Sequence, residues 1–137
     1  MERKPKPDMF IEPMPRDIFR QLMKKFEKEG GKYVADENSE AFLDAQCAEA
    51  ITLNENTILF RKRPTRSAVY EELFHVKQFK AGKIDGTIRN AYECEIEAQE
   101  YLLDNAVNLG LTDREICQTE AALKWYRKEL DKLKGDD

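Results

Sequence analysis

Hydrophobic residues after the first fifteen positions recur at helical spacing and predict an amino-terminal helix. The helix begins after Pro15 and ends at Gly30-Gly31, because glycine favours helix termination. Its apolar face carries Ile18, Leu22, Met23 and Phe26. Four of the five prolines lie within residues 1–15. That stretch is therefore predicted to be an extended lead-in, followed by a single domain over residues 16–137.

The middle of the chain, residues 32–63, has a pattern that predicts a small β-sheet. Strand character is concentrated in residues 32–35, 48–53 and 57–63, and a tight turn at Asn54-Glu55-Asn56 separates the last two segments. Three helices are predicted to follow, over residues 65–81, 87–109 and 112 onward. The pattern thus predicts an α+β fold with an amino-terminal helix, a sheet of two or three strands, and then three helices.

The last of these helices has two further signals. Thr112 and Glu115 have the spacing of a capping box, in which each side chain accepts a hydrogen bond from the other residue's backbone amide. An apolar stripe at nearly heptad spacing follows, and it is predicted to pack on the protein's own core rather than on a second chain.

Length, composition and charge restrict the class of protein. A chain of 137 residues suits one domain, and no apolar run approaches the ~20 residues of a membrane-spanning helix. The net charge is -4, and no recognition motif accompanies the basic run Arg61-Lys62-Arg63, so neither nucleic acid nor membrane is expected as a partner. The chain shows no secretory signal, which indicates synthesis in the cytoplasm, with delivery inside a larger secreted effector as an open alternative.

Cysteine and histidine content limits the candidate chemistry. Cys47, Cys94 and Cys117 form no CxxC pair, a pattern that favours buried free thiols in a reduced compartment. The chain contains a single histidine, so a metal site or a catalytic dyad has to be built around His75.

The helix after the sheet contains that histidine and two acids. Glu71 and His75 lie one helical turn apart on the same side, and Glu72 is adjacent among apolar neighbours. Burial of carboxylates is costly unless a metal, a proton or a partner compensates their charge. Glu95 is the one acid of the next helix that falls within its apolar stripe, which predicts that it points toward the same place. A structural alternative is that Glu95 pairs with a buried arginine or a tyrosine hydroxyl.

Two metal chemistries fit these residues. In the HExxH arrangement of mononuclear zinc hydrolases, one helix supplies ligands at i and i+4 and a general base at i+1, and a later helix supplies the third ligand. Glu71, His75 and Glu95 would then be the ligands, and Glu72 would take a proton from the metal-activated water. A di-iron site is the weaker fit, because Glu72, His75 and Glu95 complete only one half of it. Tyr70, Tyr92 and Gln78 are candidates for an oxyanion donor or for contacts to the ligands.

The segments Pro64-Thr65-Arg66 and Glu71-Glu72-Leu73-Phe74-His75, with Val69 between them, resemble the active helix of zincin-like metallopeptidase toxin domains. These are small modules of bacterial polymorphic toxins and phage-associated proteins. Residues 57–60 are similar to the strand before that helix. Glu95-Ile96-Glu97-Ala98, with Tyr101 and Asp104-Asn105, is similar to the segment that carries the third ligand.

The resemblance covers about residues 47–108 and carries functional expectations. It implies a zincin-like α+β fold, a zinc-dependent peptidase ancestry and a role in toxicity toward competing cells. Under that role the partners would be a peptide or protein substrate and an immunity protein.

The chain departs from the family pattern at Glu71, where the family has histidine. Several carboxylates and one imidazole make a hard, anionic site, so manganese and iron are alternatives to zinc. The motif comparison also allows Glu97 as the third ligand, whereas helical phase favours Glu95. The main alternative function is a catalytically inactive zincin-like module that binds a partner protein, with a Glu-His hydrogen-bond network in place of the metal.

Overall fold

The computed structural model describes residues 4–135, which form six helices and three strands in one α+β arrangement. The elements are α1 Arg16–Lys28, β1 Lys32–Val34, α2 Glu37–Gln46, β2 Ala50–Asn54, β3 Thr57–Phe60, α3 Arg66–Lys80, α4 Ile88–Asp104, α5 Ala106–Leu109 and α6 Asp113–Gly135. The sheet has the order β1-β3-β2, with β1 parallel and β2 antiparallel to β3. The predicted α+β class and the order of helix, sheet and further helices are confirmed.

Helix α2 was not predicted, because the segment between β1 and β2 was assigned β character throughout. Its start is set locally by a capping box: the Asp36 carboxylate accepts from the Ser39 amide, and the Ser39 hydroxyl accepts from the Asp36 amide, both at 2.9 Å. The Ser39 hydroxyl also lies 2.8 Å from the Phe60 carbonyl oxygen. The same side chain therefore starts α2 and connects it to β3.

The core lies between the sheet and the helices α1 and α3. Its buried side chains are Met14, Met23, Phe26, Ile58, Phe60, Val69 and Val76. Met14 belongs to the predicted lead-in, yet it is only 2% exposed, and its amide donates to the Pro64 carbonyl at 2.8 Å. On the other side of α3, helix α4 packs against α6, where Leu123, Tyr126 and Leu130 are buried. The apolar stripe of α6 therefore faces the protein's own core, as predicted.

The surface differs from the sequence expectations in its thiols. The three cysteines are free, but only Cys94 is buried, and Cys47 and Cys117 are exposed. The basic run after β3 is partly neutralised, because Arg61 forms ion pairs with Asp44 at 2.8 Å and with Glu49 at 3.2 Å. Within residues 4–135, no helix is long and apolar enough to cross a membrane.

Candidate metal centre

Helix α3 carries three of the candidate residues, and its amino-terminal end is fixed by two side chains. Thr65 is the N-cap, and its hydroxyl accepts from the Ala68 amide at 3.2 Å. The Glu115 carboxylate of α6 accepts from the Ser67 amide at 2.6 Å. Both bonds satisfy amides at the start of α3 that have no partner within the helix. Because Glu115 belongs to α6, its bond also fixes the position of α3 relative to α6.

Glu71, Glu72 and His75 project from α3 into one cavity of about 440 Å³. Each offers an oxygen or nitrogen atom that lies within 4.8 Å of the others, so the group could bind a metal ion. Glu72 is 6% and His75 7% exposed, whereas the Glu71 side chain is more open at 24%. The sequence placed these three residues on one side of a helix, and the structure brings them together.

Glu95 reaches the same group from α4. Its Oε1 atom lies 3.0 Å from His75 Nε2, and Glu71 Oε1 lies 3.9 Å from the same nitrogen. Two ligand atoms of a tetrahedral zinc site, each about 2.0–2.1 Å from the metal, lie ~3.3 Å apart. The two separations from Nε2 bracket this value, so His75 lies near ligand spacing from both Glu71 and Glu95.

Glu97, the alternative third ligand, points elsewhere. Its carboxylate forms an ion pair with Lys83 at 3.1 Å and accepts from Gln78 Nε2 at 3.2 Å. Helical phase thus predicted the orientation of these two side chains correctly, because Glu95 lies beside His75 and Glu97 does not.

The ring of His75 is oriented by Gln78. The Gln78 amide nitrogen donates to the Cys94 carbonyl at 2.9 Å and to Glu97, and both of these groups can only accept. Gln78 Oε1 therefore faces His75 Nδ1, at 2.7 Å, and accepts its proton. A proton on Nδ1 leaves Nε2 as the atom that can coordinate a metal when the ring is neutral.

His75 Nε2 is itself a buried polar atom with no hydrogen-bond partner among the described residues. Glu95 Oε1 is near enough, but its direction falls short of a hydrogen bond. Buried polar atoms are rarely left without a partner, and unpaired ones often mark the place of an ion or a functional group. A nitrogen that faces carboxylates in a cavity is suited to a bound cation.

Three side chains that the sequence did not indicate surround the carboxylates. The Thr52 hydroxyl of β2 lies 3.0 Å from Glu72 Oε1, and the Gln99 amide of α4 donates to Glu71 Oε1. Tyr126 of α6 is buried, and its hydroxyl contacts Glu95. No local spacing relates these residues to α3, because each arrives from another element through the tertiary fold.

Two of the three residues proposed as supporting contacts have other environments. Gln78 contacts His75, as described above. Tyr70 packs against the main core, and Tyr92 packs against the rings of Trp125 and Tyr126. The tyrosine that contacts Glu95 is therefore Tyr126. Contact with a tyrosine hydroxyl was also the structural alternative for Glu95, in which this residue has no ligand role.

The electrostatics of the site follow from burial and crowding of charge. Burial, together with the charges of Glu95 and Glu72, raises the pKa of Glu71 to about 8. Burial also raises the pKa of Glu72. For His75, burial acts to lower the pKa, but contact with Glu95 and the charges of all three carboxylates raise it to about 10. Without a metal, the site therefore holds an imidazolium among carboxyl groups that share the remaining charge.

Glu95 behaves differently from the acids of α3. Burial opposes its ionisation, but contact with His75 and the positive charges of His75 and Lys4 lower its pKa. Burial and the charges of Glu95 and Glu71 raise the pKa of Tyr126, which keeps its phenol protonated and able to donate. The site therefore combines one ionised carboxylate, one protonated imidazole and a phenolic donor.

Comparison of the chain with protein-family models, curated proteins and solved structures gives no match. The function is therefore inferred from the fold and from the cluster of Glu71, Glu72 and His75.

Proposed function

We propose that the protein is a metal-dependent hydrolase, a zincin-like metallopeptidase with Glu71, His75 and Glu95 as metal ligands. The buried Nε2 atom of His75, which faces the Glu95 and Glu71 carboxylates without a hydrogen bond of good geometry, is the observation on which this proposal depends most. Its distances to Glu95 and Glu71 fit a common metal, and Gln78 binds Nδ1, so that a ring that has lost one proton would coordinate through Nε2. The motif order that resembles the zincin-like toxin domains supports the peptidase class and a toxic effector role.

Glu72 is the proposed general base. A bound zinc, manganese or iron ion would lower the pKa of a coordinated water toward neutrality. Glu72 lies within 4.8 Å of both proposed ligands of α3, so its carboxylate can accept a proton beside them. Thr52 holds one carboxylate oxygen of Glu72, while Tyr126 supplies a protonated phenol next to Glu95. These positions place a proton acceptor and a hydrogen-bond donor within the same cavity.

A catalytically inactive protein-binding module is the second candidate. The charge balance within the site is the observation that supports it. The His75 imidazolium, 3.0 Å from Glu95, partly neutralises the carboxyl groups without any metal. In such a module the Glu-His contacts would have only a structural role, and the cavity would belong to an interface.

Metal content separates the two candidates. The native chain, purified without chelator and incubated with zinc, manganese or iron in turn, should bind one metal ion, measured by elemental analysis after desalting. His75→Ala and Glu95→Gln should lose it, whereas Glu97→Gln and the exposed Glu93→Gln should retain it. A native chain that binds none of the three metals would contradict the enzyme. Two ions per chain or per dimer would indicate a di-iron type of site instead.

Hydrolysis tests the role of Glu72. Glu72→Gln keeps an oxygen for the Thr52 hydroxyl, so it should retain metal while peptide hydrolysis falls by about 10²–10⁴-fold. The assay uses the metal-loaded chain with a quenched-fluorescent peptide library, and expression of both forms in bacteria tests toxicity. Equal turnover by native protein and Glu72→Gln would remove Glu72 from the mechanism, and equal growth would argue against a toxic peptidase.

A further inference from the structure

Residues 4–12, here called the strap, lie across the cavity that contains the candidate metal centre. Lys4, Pro5, Pro7, Asp8 and Ile11 line this cavity together with Glu71, His75 and Glu95. The cavity is also lined by residues 47–52, which lead into and form most of β2.

The strap is anchored at its carboxy-terminal end and weakly held along the rest of its length. Beyond it, Pro13 forms a β-bridge with Thr65, and the Met14 side chain is buried in the core. Within residues 4–12, by contrast, no side chain is fully buried. A segment without buried apolar contacts opens at low free-energy cost, and here the anchored end would act as the hinge.

Asp8 forms the latch of the strap on α6. Its amide donates to Gln118 Oε1 at 2.6 Å, and its carboxylate accepts from Arg114, with 3.1 Å between Oδ2 and Nη1. The Arg114 guanidinium also lies over the Phe10 ring, 5.4 Å from its centroid. Because Arg114 is mostly exposed, this latch is of the weak surface type.

Lys4 brings the strap to the candidate centre itself. Its ammonium nitrogen lies 5.3 Å from the centroid of the Tyr126 ring, and its positive charge helps to lower the pKa of Glu95. Pro5 and Pro7 favour an extended conformation and lack amide hydrogens, so they cannot donate to a neighbouring strand. The strap thus fills space beside the centre as an irregular segment, with a turn at residues 9–10 where the Ile11 amide donates to the Asp8 carbonyl at 3.3 Å.

We propose that the strap is an autoinhibitory segment that occupies the substrate cleft and opens about the Pro13-Met14 hinge when the Asp8–Arg114 latch is broken. This proposal rests on the proposed peptidase function for its consequence, since an extended peptide substrate requires the space that the strap fills. The closed state itself does not depend on that function, because it is defined by the contacts of Lys4, Asp8 and Phe10.

The reactivity of Cys94 tests the closed state without any metal. Cys94 lines the cavity and is buried, so in a Cys47→Ser/Cys117→Ser background its alkylation by iodoacetamide reports on cavity opening. Asp8→Lys places two like charges at the latch and should raise the alkylation rate roughly fivefold or more. The exchanged pair Asp8→Lys/Arg114→Glu restores opposite charges but not the contact of Arg114 with the Phe10 ring, so it should return the rate part of the way to that of the background. Glu100→Lys breaks the exposed pair with Arg127 and should leave the rate unchanged.

Peptide hydrolysis by the same metal-loaded variants tests inhibition. Asp8→Lys should raise kcat/KM roughly in step with the alkylation rate, and the exchanged pair should reverse part of the gain. Equal alkylation rates in all variants would contradict the closed conformation of the strap, whatever the hydrolytic activity. If peptide is hydrolysed but kcat/KM is the same in the background and in Asp8→Lys, the inhibitory role of the strap is contradicted. If alkylation follows the latch while no variant hydrolyses peptide, the closed strap is supported and the peptidase function is contradicted.

Discussion

His75 and Glu71 both carry protons at neutral pH in the metal-free site, because burial and the neighbouring carboxylates raise the pKa of His75 to about 10 and of Glu71 to about 8. A metal ion can bind Nε2 and the Glu71 carboxylate only after these protons leave. The proton and the metal therefore compete for the same atoms, and pH controls which one occupies them.

Metal affinity is consequently expected to rise with pH. Below about pH 8, where both groups are protonated, log Kd should fall by roughly one to two units for each unit of pH. Competition with a chromophoric chelator between pH 6 and 8, corrected for the chelator's own protonation, measures this slope. Calorimetry in two buffers of different ionisation enthalpy measures the released protons directly. An affinity independent of pH would show that His75 and Glu71 are not ligands.

Gln78 is expected to control affinity without touching the metal. Gln78→Leu removes the acceptor of the Nδ1 proton, so the ring can turn or change tautomer, and the affinity should fall about 10–100-fold. Gln78→Glu keeps an acceptor for Nδ1 and should lose less, while Lys77→Ala, at an exposed neighbouring position, should bind like the native protein. If Gln78→Leu matches native affinity, ring orientation does not limit binding.

At the scale of elements, the start of α6 also fixes the start of α3. The capping box of Thr112 and Glu115 was predicted from its spacing, and the structure confirms both hydrogen bonds at 3.2 Å. Glu115 does more than its spacing indicates, because its second carboxylate oxygen accepts from the Ser67 amide. One buried carboxylate thus satisfies backbone amides of two helices that lie far apart in the sequence.

Removal of this carboxylate should destabilise the fold. Glu115→Ala leaves the Ser67 and Thr112 amides without their acceptor, and we expect the free energy of unfolding to fall by about 2–3 kcal/mol. Urea denaturation followed by circular dichroism measures the change. Glu120→Ala, on an exposed position of α6, should alter stability by less than about 0.5 kcal/mol. A loss of similar size in both variants would contradict a specific role for Glu115.

Element boundaries show why part of the fold was predictable and part was not. Helix α3 follows from Thr65 and an apolar period, and the structure places it within one residue of the predicted bounds at each end. Helix α2 was missed because its side chains lack a clear apolar face, and its start depends on the Asp36-Ser39 box. The predicted helix over residues 87–109 divides at Asn105, whose amide side chain bonds the Tyr101 carbonyl at 2.9 Å.

At the scale of the whole molecule, the cavity exists only because distant segments meet. Periodicity was enough to predict that Glu71, Glu72, His75 and Glu95 face inward from their helices. Tyr126 and the strap could not be anticipated, because their approach to Glu95 depends on how α6 packs on α4 and on where Met14 anchors the chain. Local pattern specifies which side chains turn inward, whereas packing specifies which of them meet.

A metal that joins α3 to α4 should stabilise the entire fold. A ligand that binds only the folded state at about 100 times its Kd adds about 2.7 kcal/mol, which corresponds to an increase in Tm of roughly 10 °C for a domain of this size. Differential scanning fluorimetry of the native chain with zinc, manganese or iron measures the increase, and a chelator should reverse it. His75→Ala should give no increase, whereas Glu93→Gln should respond as the native chain does. If the native Tm is insensitive to every metal and His75→Ala alone lowers it by leaving the carboxylates unpaired, the Glu-His network is structural and the metal hydrolase is contradicted.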